Sequence, residues 1–465
     1  MSQRIVILGG GPAGYEAGLV AAELGADVTI VSDEGIGGNC VLWDCVPSKA
    51  LIVAAEAMEW VHTADRMGVH VAGIDELDRT VVDFPEVANR VLRLGTSQSA
   101  DIERKVTAAG VTLHRGRGRI SAANEVTVDD EDGGQTVLQA DYVLVATGSR
   151  ARVLPFFEPD GERVLLGQQV YGLPEVPEHL IVVGSGATGA EFANAFVQFG
   201  ARVTLVSSRD LILPTEDPDA ASVIEQVFER RGMTILRRAR AESVQTTADG
   251  VVVGLQDGGT VQGSHVLFTV GQVPVCDGIG LENVGVQTNE WGGIDVDGVG
   301  RTSCRWIYAA GDVTGRVMLA NVAAMQGRVA MWHALGQAVV PIRWDAVAAT
   351  IFTDPEVATV GLSREDAEAA SIPVETARLD FQGNSRAKMA DNTDGFVKVH
   401  AMVGSGIVVG GVVASARASD LIQPLVQAVQ NRLSVAQVAQ SMTVYPSMAG
   451  SVAECARLLM ARLGQ

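Results

Sequence analysis

The chain has 465 residues, 47% of them apolar, a formal net charge of −20 and five cysteines. At about 100–150 residues per domain this length argues for roughly three domains, and the apolar content is enough to build their cores without disulfide or metal staples. The acidic balance argues against a nucleic-acid partner or an anionic membrane surface, and no apolar run approaches the roughly 20 residues that cross a bilayer. Arg4 followed by an apolar stretch has the look of a signal peptide, but Glu16 and Glu23 interrupt it, so the expected location is cytoplasmic. An odd, sparse set of cysteines does not make a secreted disulfide framework, which leaves redox chemistry or burial.

In chain order, Ile5 to Leu8 reads as a buried strand, Gly9-Gly10-Gly11-Pro12-Ala13-Gly14 as a turn into a helix reaching Leu24, and Asp27 to Val31 as a second strand. Gly9, Gly11 and Gly14 have the G-x-G-x-x-G spacing: the first makes the turn, the second lets a pyrophosphate approach the backbone, and the third lets helix and strand pack closely. The free N–H groups of the helix N-terminus then face the phosphates. Ser32 or Asp33 falls where such a unit holds ribose hydroxyls. Cys40 and Cys45 follow; five residues apart on an ideal helix of about 3.6 residues per turn they would point some 140° apart, so a bond between them requires a distorted helix, which Pro47 and the glycines before Cys40 favour. Lys49 is one of only four lysines, in a chain that ordinarily fills basic positions with arginine, and suggests a need for a compact ammonium.

Val143 to Thr147 is a short strand ending in the turn at Gly148, and the proline-rich stretch from Pro155 to Pro177 marks a crossing between domains. The opening unit then recurs: strand Leu180 to Val183, Gly184, Gly186 and Gly189 in the same spacing, a helix to Phe199, and a strand from Arg202 to Val206. One copy of this pattern is weak; two in the same strand–turn–helix setting point to two dinucleotides. The second copy ends Ser207-Ser208-Arg209 with no carboxylate before Asp210, so it can accept a 2′-phosphate, and NADPH or NADH is the expected ligand. A further strand, Val266 to Val270, ends at Gly271. From about Asp345 strand-like runs (Ile407 to Val409, Val412–Val413) alternate with helices near Ser415 to Asn431 and Ser451 to Leu463, the pattern of a separate α+β domain.

The segment Gly37-Gly38-Asn39-Cys40-Val41-Leu42-Trp43-Asp44-Cys45-Val46-Pro47-Ser48-Lys49 resembles the redox-active segment of the pyridine nucleotide-disulfide oxidoreductases of the lipoamide dehydrogenase-like class. Ala146-Thr147-Gly148, Gly184 to Glu191, Tyr308 to Asp312 and Gly395 to Lys398 match that family in order, so the resemblance covers essentially the whole chain. It implies an α/β fold with two Rossmann-like dinucleotide-binding domains, for FAD and NAD(P), plus a C-terminal α+β dimerisation domain. The expected division is 1–150 and 273–344 for the two parts of the FAD-binding and central region, 151–272 for the NAD(P) domain and 345–465 for the dimerisation domain of a homodimer. The resemblance further implies that Cys45 faces the flavin and Cys40 exchanges with substrate. It pairs Lys49 with Glu191 near the reaction centre, gives Asp312 the ribityl hydroxyls, and gives the helix starting at Leu319 and Ala320 the flavin's pyrimidine edge. FAD is expected on Gly9, Gly11, Gly14, Ser32, Asp33, Gly38, Lys49, Ala146, Thr147, Gly148, Gly311, Asp312, Leu319 and Ala320. NAD(P) is expected on Gly184, Gly186, Gly189, Glu191, Ser207, Ser208, Arg209 and Gly271. No metal site is expected, and Cys276, Cys304 and Cys455 are expected as buried small side chains.

The C-terminus departs from the family. Where its disulfide reductases carry His-Pro-Thr and then Glu as the acid–base pair, this chain reads Tyr445-Pro446-Ser447-Met448-Ala449-Gly450, and no histidine follows His400. A tyrosine titrating near about 10 does not replace an imidazole. In this the sequence most resembles the lipoamide-dehydrogenase-like bacterial NAD(P)H:quinone reductases, whose flavin passes electrons to a quinone without thiol exchange, although the intact Cys40–Cys45 pair is itself a departure from them. The catalytic set expected is therefore Cys40, Cys45, Lys49, Glu191 and Tyr445. The alternatives are a soluble transhydrogenase, a lipoamide or disulfide reductase with a non-histidine proton donor, and an inert E3-like subunit.

Overall fold

The structure, a computed structural model, describes residues 2–70 and 82–465. It divides into two compact units, Met1–Leu51 with Pro85–Val153 and Val270–Ile342, and Ile52–Phe84 with Leu154–Thr269 and Arg343–Gln465.

The first unit is built on a seven-stranded sheet in the order Ile307–Ala309, Tyr142–Val145, Arg4–Leu8, Asp27–Ser32, Thr112–Ala122, Glu125–Asp130, Gln135–Gln139. The first five strands are parallel, with Ile5 opposite both Val28 and Tyr142; the last two form an antiparallel flap. Strand Arg4–Leu8 is buried at every residue after Arg4, as a parallel strand covered on both faces must be, and that explains its unbroken apolar run. On one face the helix Pro12–Glu23 packs with the helix Ala320–Ala334 around Ile7, Ala17, Val20, Ile30 and Leu144. On the other, the flap encloses Val6, Leu8, Ile120, Val126 and Val143. The chain runs outward from Arg4–Leu8 in one direction and then returns to Tyr142–Val145 on the opposite side. This reversal leaves a crevice beyond the carboxyl ends of the strands, the usual ligand position in open α/β sheets.

The second unit repeats the plan in the order Thr234–Leu236, Arg202–Val206, His179–Val183, His265–Phe268, Val164–Leu165. The helix Ala187–Gln198 follows the central strand, and a three-stranded antiparallel sheet spans Ala241–Gly263. Strand Val164–Leu165 lies inside the proline-rich stretch read as a plain crossing: its two residues are buried and add to the sheet edge through Val266 and Leu267. The C-terminal part is a five-stranded antiparallel sheet packed by helices around Phe381, Val397, Val413, Leu425 and Leu459. Two of its predicted pieces merge, because Val408–Ser415 is one continuous strand across Gly410 and Gly411. The helix expected from Ser415 to Asn431 instead divides into Ala418–Leu421 and Gln423–Gln430, with Pro424 in the first turn of the second piece.

Candidate functional site

In the first unit a cavity of about 460 Å³ opens beyond the strand ends, and its wall gathers most of the residues expected at the flavin: Gly9, Gly11, Ser32, Asp33, Gly38, Cys40, Cys45, Ala146, Thr147, Gly148, Gly311, Asp312 and Ala320. The three glycines divide as their spacing predicts. A Cβ on Gly9, at φ +108°, would lie 2.2 Å from the Ala146 carbonyl oxygen, and one on Gly14 would lie 2.0 Å from the Gly9 carbonyl oxygen, so both are packing requirements. A Cβ on Gly11 meets nothing within 4 Å, and Gly11 opens the helix Pro12–Glu23 without any side-chain cap. The N–H groups of that first turn therefore face open space at the positive end of the helix dipole. An open cradle with free backbone donors fits a pyrophosphate, and a partly buried carboxyl at Asp312 suits hydroxyls further along. The residues present thus fit FAD.

Ser32 ends the second strand and Asp33 follows it. Ser32 Oγ donates to the Gly35 carbonyl at 3.0 Å, whereas Asp33 lines the cavity with Glu34, a wall residue that the sequence reading missed. Burial, with Asp33 next to it, pushes the Glu34 carboxyl up. Thr147 Oγ1 donates to the Val275 carbonyl at 2.7 Å, fixing the turn after strand Tyr142–Val145. Asp312 begins a 3₁₀ turn three residues beyond the strand Ile307–Ala309. Its carboxylate accepts from Ser149 Oγ at 2.7 Å, and burial raises its pKa. The Gly311 N–H donates to buried Gln326 Oε1 at 2.8 Å, which ties this turn to the helix Ala320–Ala334. Leu319 caps that helix, and Met318 and Ala320 on either side of it line the cavity.

The cysteine segment is broken between its two sulfurs, the distortion that Pro47 and the glycines before Cys40 favour. One helix covers Gly38–Leu42, a second starts at Cys45, and Trp43 and Asp44 join them. Gly37, at φ +102°, allows the tight entry: a Cβ there would sit 2.6 Å from Val41 Cβ. Cys40 and Cys45 are both free thiols. Cys45 donates to Cys40, an interaction that lowers the Cys40 pKa and, together with burial, raises that of Cys45. Lys49 lowers both, while the Asp44 carboxylate opposes it.

The second unit holds the second loop. Gly184, at φ +114°, and Gly189 are closed in: their Cβ atoms would lie 2.4 Å from the Thr269 carbonyl oxygen and 1.8 Å from the Gly184 carbonyl oxygen. Gly186 is open, with nothing within 4 Å of its Cβ and no side-chain cap on the helix Ala187–Gln198. Ser207 is fully buried, accepts from Ser185 Oγ at 2.8 Å and from the Arg209 N–H at 3.2 Å, and so supports the loop from below. Ser208 and Arg209 are exposed. Glu191 is buried at 4% exposure, and its Oε1 accepts from the Phe352 N–H at 2.9 Å. Gly271, expected with this nucleotide, belongs to the first unit, where its carbonyl accepts from the Arg152 N–H at 2.9 Å. Tyr445 is 85% exposed, beside exposed Met442 and Val444.

Among the described residues no group of three or more potential ligands could hold a metal ion, and no helix is long and apolar enough to cross a membrane. Cys455 is buried as expected, but Cys276 and Cys304 are only partly buried. Burial pushes the Cys455 thiol up to about 12.

Residues 3–327 match the pyridine nucleotide-disulphide oxidoreductase family, and residues 347–456 match its dimerisation domain. The chain is 47% identical to a protein named NAD(P)H dehydrogenase (quinone) from Mycobacterium tuberculosis, over 99% of this chain and 94% of that one. It is 34% identical to a dihydrolipoyl dehydrogenase of Haloferax volcanii, over 97% of this chain and 95% of that one. Among solved structures, LpdA from M. tuberculosis superposes with a TM-score of 0.93 at 47% identity, covering 98% of this chain and all (100%) of that one. The HOCl-induced flavoprotein disulfide reductase RclA of Escherichia coli, at 22% identity and a TM-score of 0.86 over 98% of this chain and 100% of that one, shares the fold. With fold, paired nucleotide loops and full-length relatives in agreement, the chain belongs to the pyridine nucleotide-disulphide oxidoreductases and is a flavoprotein oxidoreductase of the lipoamide dehydrogenase-like class, with FAD and NAD(P)H as its cofactors.

Proposed function

We propose that the enzyme is a cytoplasmic homodimer that couples the oxidation of NAD(P)H to the reduction of a quinone. The observation that carries this reading is the C-terminal replacement: a sulfur substrate needs an acid–base partner near neutral pH, and where the family places histidine this chain has Tyr445, with no histidine after His400. A quinone needs no thiol exchange, and a relative 47% identical over nearly the whole chain bears the name NAD(P)H dehydrogenase (quinone).

FAD, when bound, supplies two-electron chemistry between the nicotinamide and the acceptor. In this reading the backbone at Gly9, Gly11 and Gly14 binds its pyrophosphate, Asp33 and Ser32 serve its ribose, and Gly38, Ala146, Thr147, Gly148 and Gly311 form its walls. Asp312 holds ribityl hydroxyls, and Leu319 and Ala320 present a helix N-terminus. Lys49 stabilises negative charge beside the thiols. Gly184, Gly186 and Gly189 seat NAD(P)H, Ser208 and Arg209 receive a 2′-phosphate with Ser207 holding their loop, and Glu191 serves the nicotinamide side. The segments 1–150 and 273–344, 151–272 and 345–465 are the corresponding domains.

The test is anaerobic stopped-flow mixing of the yellow holoenzyme with NADPH or NADH, then with menadione or lipoamide. Fast reoxidation by menadione is expected; fast reoxidation by lipoamide and slow reaction with every quinone tried would overturn the assignment. The lowered Cys40 thiol beside Cys45 favours one second reading, a disulfide reductase with an unorthodox proton donor. That reading requires alkylation of Cys40 in the reduced enzyme to abolish turnover, whereas quinone reduction survives it.

A further inference from the structure

Asp312 reaches the cavity wall from the turn that runs from Gly311 to Gly315. Two carbonyls of this turn close it on itself. That of Gly311 accepts the N–H and the hydroxyl of Thr314 at 3.0 and 2.8 Å, and that of Asp312 accepts the Gly315 N–H at 2.9 Å. The next two carbonyls tie the turn to one segment, Asn289 to Ile294: Val313 accepts the Ile294 N–H at 2.8 Å, and Thr314 accepts from Asn289 Nδ2 at 2.8 Å. That segment is no part of the cavity wall, so its influence on a bound nucleotide runs through the turn.

The Asn289 carboxamide is engaged at both ends. Its Oδ1 accepts the Trp291 and Gly293 N–H groups, each at 3.1 Å, and its Nδ2 faces the Ile294 carbonyl at 3.4 Å besides that of Thr314. Two N–H donors on one side and two carbonyls on the other leave one way for the amide to point. The backbones behind it are already in contact: a Cβ on Gly293 would lie 2.4 Å from the Thr314 carbonyl carbon, and Thr314 is 1% exposed. Solvent has little access to so buried a residue, so loss of the Asn289 bond leaves an unsatisfied carbonyl that the turn relieves by shifting. The Asp312 carboxylate, held on one side by Ser149 Oγ at 2.7 Å, takes the rest of its aim from this backbone. A carboxylate binds hydroxyls tightly when it is held in place before they arrive.

We propose that Asn289 is a positioning residue for FAD: through the Thr314 carbonyl it fixes the turn that aims the Asp312 carboxylate into the cavity. This rests on the reading of Asp312 as the partner of the ribityl hydroxyls.

The test follows FAD release from the holoenzyme as the rise of flavin fluorescence after dilution, with thermal unfolding of each variant alongside. Asn289→Asp keeps an oxygen for the Trp291 and Gly293 N–H groups but cannot donate to the Thr314 carbonyl. It is expected to release FAD about ten-fold faster than the wild type, the worth of one misplaced charge-assisted hydrogen bond. Asn289→Ala, which opens the segment as well, should release FAD at least as fast. In an Asp312→Ala background the same Asn289→Asp change should alter release by less than about two-fold, because residues that act as a unit are not additive. Wild-type release from either Asn289 variant, or the same acceleration with and without Asp312, overturns the proposal alone. Wild-type release from Asp312→Ala by itself overturns the reading of Asp312, and this proposal with it.

Discussion

Gly186 and Gly189, three residues apart in the second nucleotide loop, have different surroundings and so test its two roles separately. Gly186 has φ −74° and ψ −172°, a conformation open to any residue, and an added Cβ meets nothing within 4 Å. Gly186→Ala therefore leaves the folded protein undisturbed, but its methyl projects into the space over the N-terminus of the helix Ala187–Gln198, where a pyrophosphate takes its backbone hydrogen bonds. Losing one charge-assisted bond costs about 1.5–3 kcal/mol, and at about 1.4 kcal/mol per factor of ten NAD(P)H affinity should fall roughly ten- to a hundred-fold. In Gly189→Ala the new Cβ would lie 1.8 Å from the Gly184 carbonyl oxygen and 2.6 Å from Thr269 Oγ1. Backbone cannot yield there as a side-chain tip can, so that variant should lose at least the roughly 1–3 kcal/mol typical of an overpacked site. Titration of NADPH and NADH against the holoenzyme, with thermal unfolding of each variant, separates the two effects. Wild-type affinity in Gly186→Ala, or wild-type stability in Gly189→Ala, would refute the division into ligand and packing glycines.

Arg209→Ala should raise the KM for NADPH about ten-fold while leaving that for NADH nearly unmoved, since a lost charge-assisted contact is worth about 1.5–3 kcal/mol; steady-state kinetics with both nucleotides decides it. Lys398 bonds Asp217 at 2.6 Å and Asp219 at 2.8 Å with only 11% of its side chain exposed, so Lys398→Met, which strands the Asp217 carboxylate, should cost about 3–5 kcal/mol in urea unfolding. Burial of His400, 2% exposed, lowers its pKa to about 4. The unfolded chain then binds the extra proton between that value and the ordinary one near 6.5, so stability is full above this window and falls through it on acidification, by about 3 kcal/mol; acid unfolding of His400→Gln should lack this component. Glu56 behaves oppositely: burial, then Asp354 and Glu356, raise it to about 7, so the native state loses stability as pH rises from the ordinary carboxylate range through 7. Glu56→Gln should accordingly raise Tm at pH 8 and change it little at pH 4.

What the sequence disclosed was whatever backbone geometry forces on residue type. Gly9 and Gly184 are legible because no side chain fits against the carbonyls they approach, and the break between Cys40 and Cys45 agrees with the distortion that Pro47 and the preceding glycines favour. Strand Val164–Leu165 was hidden because two buried residues between prolines carry no periodicity. Strand Thr112–Ala122, which leads into the flap, was equally hard to read: it alternates poorly and is rich in arginine and glycine. Ser207 shows a different limit. Its position at a strand end was clear, but whether its hydroxyl faced a ligand or Ser185 depends on a residue 22 positions away. Asp44 carries no motif of its own, and only the cavity wall reveals it as part of the site.

The two nucleotide loops share one backbone device and differ in the side chains that follow it. In both, a capless helix N-terminus beside an open glycine can receive a pyrophosphate, and this feature cannot distinguish one dinucleotide from another. Discrimination then falls to the end of the next strand. In the first loop Asp33 and Glu34 face the cavity, and burial already makes a second negative charge there costly for Glu34; a ribose with free hydroxyls suits them and a 2′-phosphate does not. In the second, exposed Ser208 and Arg209 replace that pair, and the nearby Asp210 carboxylate is engaged by Arg238. With Asp210 neutralised in this way, the remaining charge at the second loop is positive, and the same fold element that excludes NADPH from the first site can admit it to the second.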